Sequence, residues 1–490
     1  ISSLKFGVSS LKFGIIRHSS FVIRHSLSLF LSFFLSLPAS AQSDYVHLTK
    51  IVLEGNKKTK ETTILRELNL HVGDSVLVSE MGTRLEENQK RLMSTGLFEK
   101  AELNIKNWNT TTHSIEFQVK VKEVVSFYVL PWIELADRNF NVWWNEKHHS
   151  LKRLNYSGTF VWRNMTGRKD PLRAKVQVGF TPKIELDYKQ PALNKQQTLG
   201  MNANVFWSRD KEVWYNTIAD KLQRYRNEQA FQLYRNRASL GLTYRPKLFT
   251  IHQVRLEYNQ NKVADTIALV LNPNFFSNNA TKEHYWAAEY LCSIDRRDFR
   301  YYPKKGFLLN FSVKKNGLLE KDNNQALFLT TMFAKYITFS SKNTAEIILK
   351  GRKEVSGAVQ SYYNSRALGY NTDYLRAYDY NVIDGTDFAY LKSSFRHQLL
   401  DTKIDMNAYL PDDEVKVPTF PIAVSLTFNN DFGITNNPTN RQNNALNNRL
   451  LWGGGIGLDF FLLNRYWVQV ETNINQSKKV GLFFRYKAAL

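Results

Sequence analysis

Cysteine is almost absent: Cys292 is the only one in 490 residues. This excludes an internal disulfide framework and a cysteine-based metal cluster. Long apolar runs are missing beyond the first forty residues, so no transmembrane helix is expected there. Signatures of catalysis are lacking too. The chain shows no nucleophile elbow, phosphate loop, zinc spacing or calcium loop, and it reads as a non-enzyme with no cofactor and no metal. His148-His149 stands in a polar stretch and reads as solvated. The run Gly453-Gly454-Gly455-Ile456-Gly457 is followed by no helix, so it is not a dinucleotide fingerprint. Its glycines mark a place where a strand bends or a loop packs against a wall.

What is abundant is basic and aromatic. Sixty-six Lys and Arg outnumber 44 Asp and Glu, a formal charge of +22, and Phe, Trp and Tyr make up 13% of the chain. Such an excess fits either a nucleic-acid partner or a basic lumen with basic loops. The N-terminus separates the two. Leu27–Leu37 is apolar but too short to span a bilayer; Arg17 and Arg24 precede it, and Ala39-Ser40-Ala41 follows. These are the three parts of a secretory signal peptide over residues 1–41. SSLKFG occurs at Ser2 and Ser9, and IRHS at Ile16 and Ile23, which points to an over-extended start. An exported chain argues against nucleic acid.

Residues 46–124 read as a small α+β domain, β-α-α-β-β. His47–Leu53 forms a strand ending at Glu54-Gly55-Asn56, a turn signal. Thr59 is placed to cap a helix over Glu61–Leu68, and Ser79 a second through Met93, which Gly96 ends. Phe98–Ile105 and Ser114–Val121 alternate like paired strands.

From residue 125 to 490 the period is two. Leu240, Leu242 and Tyr244 oppose Ser239 and Thr243; Tyr466, Val468 and Val470 oppose Gln469 and Glu471. In an exported chain with this many strands, the apolar face belongs against lipid and the polar face against a wet lumen. Strands are expected to start near Ser126, Arg153, Leu172, Lys183, Thr198, Arg237, Ile251, Glu283, Gly306, Gln325, Thr344, Asp387, Thr419, Leu451, Tyr466 and Lys479. Sixteen is even, as a bacterial barrel requires, and the connections alternate short and long. Leu400–Lys416 is longer than its place among the short turns suggests. The fold class is thus an all-β transmembrane barrel of sixteen antiparallel strands after one small α+β domain.

Several stretches match a known family. Ile51 through Asn56 (with Glu54 and Gly55), Lys58-Thr59, Ile64 through Leu68 around Arg66, Gly73-Asp74, and Leu92 through Phe98 with Gly96 resemble a POTRA domain. Asp295-Arg296-Arg297-Asp298 with Pro303 and Gly306 is similar to the strand 8–9 turn of the Omp85 superfamily. Leu375-Arg376-Ala377-Tyr378, between Leu368-Gly369 and Asp384-Gly385, resembles that family's sixth-loop motif, and Asp431-Phe432-Gly433 its thirteenth-strand motif. Three departures stand out. Ala377 replaces a glycine, Ser394 holds an often acidic position, and the chain ends on Ala488-Ala489-Leu490 rather than a terminal aromatic.

The resemblance implies a non-enzymatic outer-membrane protein with a single periplasmic POTRA domain. Its partners are the lipid bilayer, unfolded or translocating polypeptide clients, and periplasmic accessory proteins. Strand parity points Asp431 into the lumen. The resemblance folds the sixth loop inward, making Arg376 (with Gly369, Leu375 and Tyr378) a latch on Asp431. Pro131 in the first strand and Gly481 and Phe484 in the last mark a closure with few ladder bonds, a candidate lateral seam. The rival reading is a passive pore or solute channel with an anion-favouring basic lumen.

Overall fold

A computed structural model describes residues 44–194, 196–370, 373–404, 420–438, 444–463 and 466–488. The signal peptide read over residues 1–41, most of the long connection after Leu400, and residues 489–490 lie outside these.

The N-terminal domain comprises β1 (Tyr45–Glu54), α1 (Glu61–Leu65), β2 (Ser75–Leu77), α2 (Met81–Ser94), β3 (Phe98–Asn109) and β4 (Ser114–Glu123). Its sheet runs β2-β1-β4-β3, with β1 parallel to β4 and the other pairs antiparallel. The three-residue β2 was not legible from periodicity. Ile64, Leu68, Leu92, Phe98, Leu103 and Val119 form one core, and Val46, Leu48, Leu70, Met81 and Phe117 another beside it. Apolar burial on this scale stabilises at about 25 cal/mol per Å² removed from water. Neither expected cap forms. The first helix ends at Leu65 rather than Leu68, and its N-cap, Lys60, makes no side-chain cap bond. Thr59 is occupied elsewhere: its hydroxyl accepts Nδ2 of Asn164 (3.0 Å), and its N–H donates to Glu123 (2.6 Å). Ser79 lies in a 3₁₀ turn ahead of α2.

The rest is one sixteen-stranded antiparallel sheet. Its members are β5 (Phe127–Leu135), β6 (Leu154–Trp162), β7 (Leu172–Gly179), β8 (Lys183–Gln190) and β9 (Leu199–Asp210). A hairpin outside the sheet follows, β10 (Glu212–Ile218) and β11 (Lys221–Arg226). The sheet resumes with β12 (Leu233–Lys247), β13 (Thr250–Val263), β14 (Lys282–Asp295), β15 (Gly306–Asn316), β16 (Ala326–Thr338) and β17 (Asn343–Glu354). Within the next loop β18 (Arg366–Leu368) pairs with β19 (Ile383–Asp384). Then come β20 (Asp387–Ile404), β21 (Phe420–Asn436), β22 (Leu451–Leu462), β23 (Tyr466–Asn475) and β24 (Val480–Ala488). Sheet strands begin within a residue of the period-two expectation, except β12, which starts at Leu233 rather than Arg237.

Alternation sorts the two faces of this wall. Val176, Leu242, Val254, Phe428 and Ile456 are exposed on the outside. Thr427, Asp431, Asp459, Gln469 and Glu471 are buried inside. A soluble sandwich would bury the first set; here the polar set is enclosed, as in a membrane barrel.

The small domain is docked against one end. Lys60 N–H donates to Gly167 O (3.0 Å) and Arg163 to Gly96 O (3.0 Å). Arg66 reaches the carbonyls of Pro191 and Gln197. At the centre of the contact, Glu67 accepts Arg245 through both oxygens (2.9 and 3.1 Å) and lies 3.4 Å from both Lys169 and Arg66. Burial alone would push the Glu67 carboxyl up, but the Lys169, Arg245 and Arg66 charges outweigh it and hold it well below the usual carboxylate range.

Candidate functional site: an ion-paired loop inside the barrel

The loop between β17 and β20 enters the lumen at the opposite end. Arg352 of β17 grips its base, donating to the carbonyls of Thr386 (2.8 Å), Arg366 (2.7 Å) and Gly385 (3.2 Å). Ala367, Leu368, Leu375, Tyr378 and Ile383 bury against Phe388, Tyr390 and Leu451 of the wall. The hairpin β10–β11 covers the loop from above. Its tip residue Asp220 accepts Val382 N–H through its carbonyl (3.0 Å) and receives the Ala445 and Leu446 N–H groups on its carboxylate.

Arg376 points into the wall and is 7% exposed. Its guanidinium donates to Asp431 Oδ1 (2.5 Å), Glu471 Oε2 (3.0 Å) and Ser394 Oγ (3.3 Å), and its own N–H to Asp431 Oδ2 (3.1 Å). Lys392 Nζ lies 3.7 Å from Asp431. Arg485 of β24 takes the other Glu471 oxygen (2.6 Å) and forms a two-pronged bond with Asp379 of the loop (2.8 and 3.1 Å). Arg376, Lys392 and Arg485 thus face Asp431, Glu471 and Asp379. A closed set of charge-assisted bonds satisfies ions that would be very costly to bury alone.

The wall is shaped for this loop. A Cβ on Gly453 would stand 2.1 Å from the Arg376 carbonyl, and one on Gly433 2.6 Å from a Leu375 methyl. Ala377 adopts φ +65°, the left-handed region that a glycine occupies without strain. Tyr378 donates to Trp452 O (3.1 Å), and Gly369 O receives Arg138 (3.0 Å).

The turn after β14 is the second inward fold. Asp295 holds Arg297 with both oxygens, Asp298 accepts the N–H groups of Lys304 and Lys305, and Pro303 is buried. Gly306 has φ +104°, and a Cβ there would meet Arg296 O at 2.1 Å. This turn aims Tyr302 across the lumen to stack on Phe461 and lie under Arg396. In the small domain, Glu54 accepts Gln118 (2.7 Å), Asn56 donates to Thr59 O, Gly55, Gly73 and Gly96 have positive φ, and Phe98 is core.

β5 and β24 are the two ends of the sheet order, and no ladder joins them among the described residues. Trp132 and Tyr486 stack across the gap with centroids 5.6 Å apart. Pro131 lies beside Trp132 in β5, Gly481 pairs inward with Asn473 of β23, and the Phe484 ring meets Phe140 at 5.4 Å. Periodicity did not single out Glu471, Arg485 or Asp379 as partners of Arg376. The inward parity of Glu471 and Gln469 was the available signal, but it does not say which loop they meet.

The geometry defines a class: a sixteen-stranded barrel carrying a docked α+β domain and a loop ion-paired to its inner wall. A model of the Omp85 superfamily domain matches residues 164–399, and a POTRA model, described as a surface antigen variable number repeat, matches residues 46–124. The chain belongs to the Omp85 superfamily. Among solved structures it is similar to BamA from Haemophilus ducreyi lacking POTRA domains 1–3, at 14% identity over 91% of this chain and 85% of that one, with a TM-score of 0.52. It is also similar to CdiB from Escherichia coli, at 10% identity over 91% of this chain and 76% of that one, TM-score 0.52. At these identities the likeness is one of fold. Comparison with curated proteins gave no match.

Proposed function

We propose that this chain is an outer-membrane factor that inserts or translocates polypeptides, with its POTRA domain in the periplasm, its apolar belt in lipid and no enzymatic step. In this reading extended client segments add to exposed strand edges, and the Arg376 loop latches the barrel wall while the β5–β24 seam parts. The observation that carries it is the seam: two adjacent edge strands in contact through side chains, without a ladder to break. Strand edges bind strands through main-chain hydrogen bonds, so a separable pair offers two templates. Accessory proteins would engage the POTRA face left free of the barrel.

A passive anion channel is the second reading. It draws on a chamber of about 920 Å³ at the POTRA end whose lining includes Arg66, Arg163, Arg237, Arg255 and Arg300 against Glu185, Asp187 and Glu257. The loop packed across the other half of the lumen counts against it.

The test uses proteoliposomes and a urea-unfolded eight-stranded barrel protein. In a Cys292→Ser background, Trp132→Cys with Tyr486→Cys is oxidised across the seam. Insertion above empty liposomes should vanish on oxidation and return on reduction. Full activity in the oxidised state overturns the seam, and single-channel conductance by the unmodified protein without any insertion favours the channel.

A further inference from the structure

The edge of β24 is not bare. The segment just after β5 folds back over it. Asn139 Oδ1 accepts Val142 N–H (2.8 Å), fixing a short turn, while its Nδ2 donates to Asp379 O of the latched loop (2.8 Å). Within that turn Asn141 is 4% exposed and faces the last strand. Its Nδ2 donates to Leu482 O (2.5 Å), and its Oδ1 accepts Phe484 N–H (3.3 Å). Those two backbone groups flank residue 483 and point to the same side, as the groups do that a neighbouring strand would take. A carboxamide carries the same donor and acceptor as a peptide group. Beside it the Phe140 ring covers Phe484.

We propose that Asn141 is a one-residue strand mimic that caps the β24 edge, held in place by Asn139 and Asp379, and that an entering client strand must displace it. The inference rests on the insertion reading above for its consequence, but not for the contact itself. An unpaired edge in the outer leaflet would leave polar backbone groups without partners, a cost the Asn141 amide removes. The cap is worth two hydrogen bonds, weak enough for a strand offering a full ladder to replace it. Because Asn139 and Arg485 both bind Asp379, seating of the loop and capping of the edge are joined at one residue.

Two measurements on full-length protein in nanodiscs separate the claims. Hydrogen exchange at residues 480–486 should rise about tenfold in Asn141→Ala, the equivalent of losing two modest hydrogen bonds. It should rise in Asn141→Asp as well, because a carboxylate has no donor for Leu482 O and sets two acceptors against each other there. Unchanged exchange in Asn141→Ala overturns the cap and leaves the proposed function untouched. For the second measurement a photo-cross-linker replaces Leu482 and the unfolded eight-stranded protein is the probe. Asn141→Ala should raise the adduct yield severalfold. Higher exchange with no gain in adduct overturns displacement by a client, and no adduct in either protein counts against the insertion reading.

Discussion

The carbonyl of Arg376 fills the space that a side chain on Gly453 would need; a Cβ there would stand 2.1 Å from it. Backbone of the sixth loop therefore lies directly on backbone of the wall. Gly453→Ala is expected to push the loop off, at about 1–3 kcal/mol as for other overpacked sites. Faster protease cleavage between residues 366 and 384, with the barrel's heat-resistant gel mobility retained, would record it.

Ala377 gives a prediction of opposite sign. At φ +65° its Cβ is strained, and glycine is not. Ala377→Gly should stabilise the seated loop by about 1 kcal/mol, less the extra entropy glycine loses on ordering. Slower proteolysis of the same loop measures it, and faster proteolysis would contradict it.

A swap of Arg376 and Asp431 tests how closed the ion set is. With an isolated pair, Arg376→Asp combined with Asp431→Arg would restore the contact. Here the introduced carboxylate would face Glu471 and the introduced guanidinium would sit beside Lys392. The double variant should remain as impaired as Arg376→Ala, each losing about 3–5 kcal/mol as when one partner of a buried pair is removed. Loop proteolysis and liposome insertion should fail together, and rescue by the swap would show that Glu471 and Lys392 are spectators.

Glu67 predicts a pH dependence of POTRA docking. Its carboxyl is depressed in the docked state, so the stabilisation is fully present above the ordinary carboxylate value of about 4.3 and is lost as pH falls through the lower docked value. Spin-label distances between the small domain and the barrel should hold from pH 8 to 5 and broaden in stronger acid. Glu67→Gln should show the broadened distribution already at pH 7, since Lys169 and Arg245 lose their counter-charge.

Much of this molecule is legible along the chain because a barrel wall is built from local alternation. Leu242 and Thr243 choose outside and inside by chemistry alone, and the same period fixes the start of every sheet strand but β12 to within about a residue. The cap at Thr59 failed because local capping competes with docking: the Thr59 hydroxyl bonds Asn164, 105 positions away. Ser79 lies inside a 3₁₀ turn, which leaves Glu80 at the helix N-cap. Period two also says that Asp431 and Glu471 both face inward, but not that one arginine takes both. That needs the wall to curve until residues 55 and 95 positions from Arg376 converge on it.

The sequence by itself determined a sixteen-stranded wall, its polar and apolar faces, the small α+β domain ahead of it, and the loop that carries Arg376. Each of these rests on short-range pattern, where side-chain chemistry and backbone period suffice. Tertiary structure alone decided the three-by-three ion set, the Glu67 dock and the Asn141 contact on the last strand. Those depend on tertiary contacts between distant segments, which bring charges far apart in the chain within ion-pair distance and offset the cost of burying them.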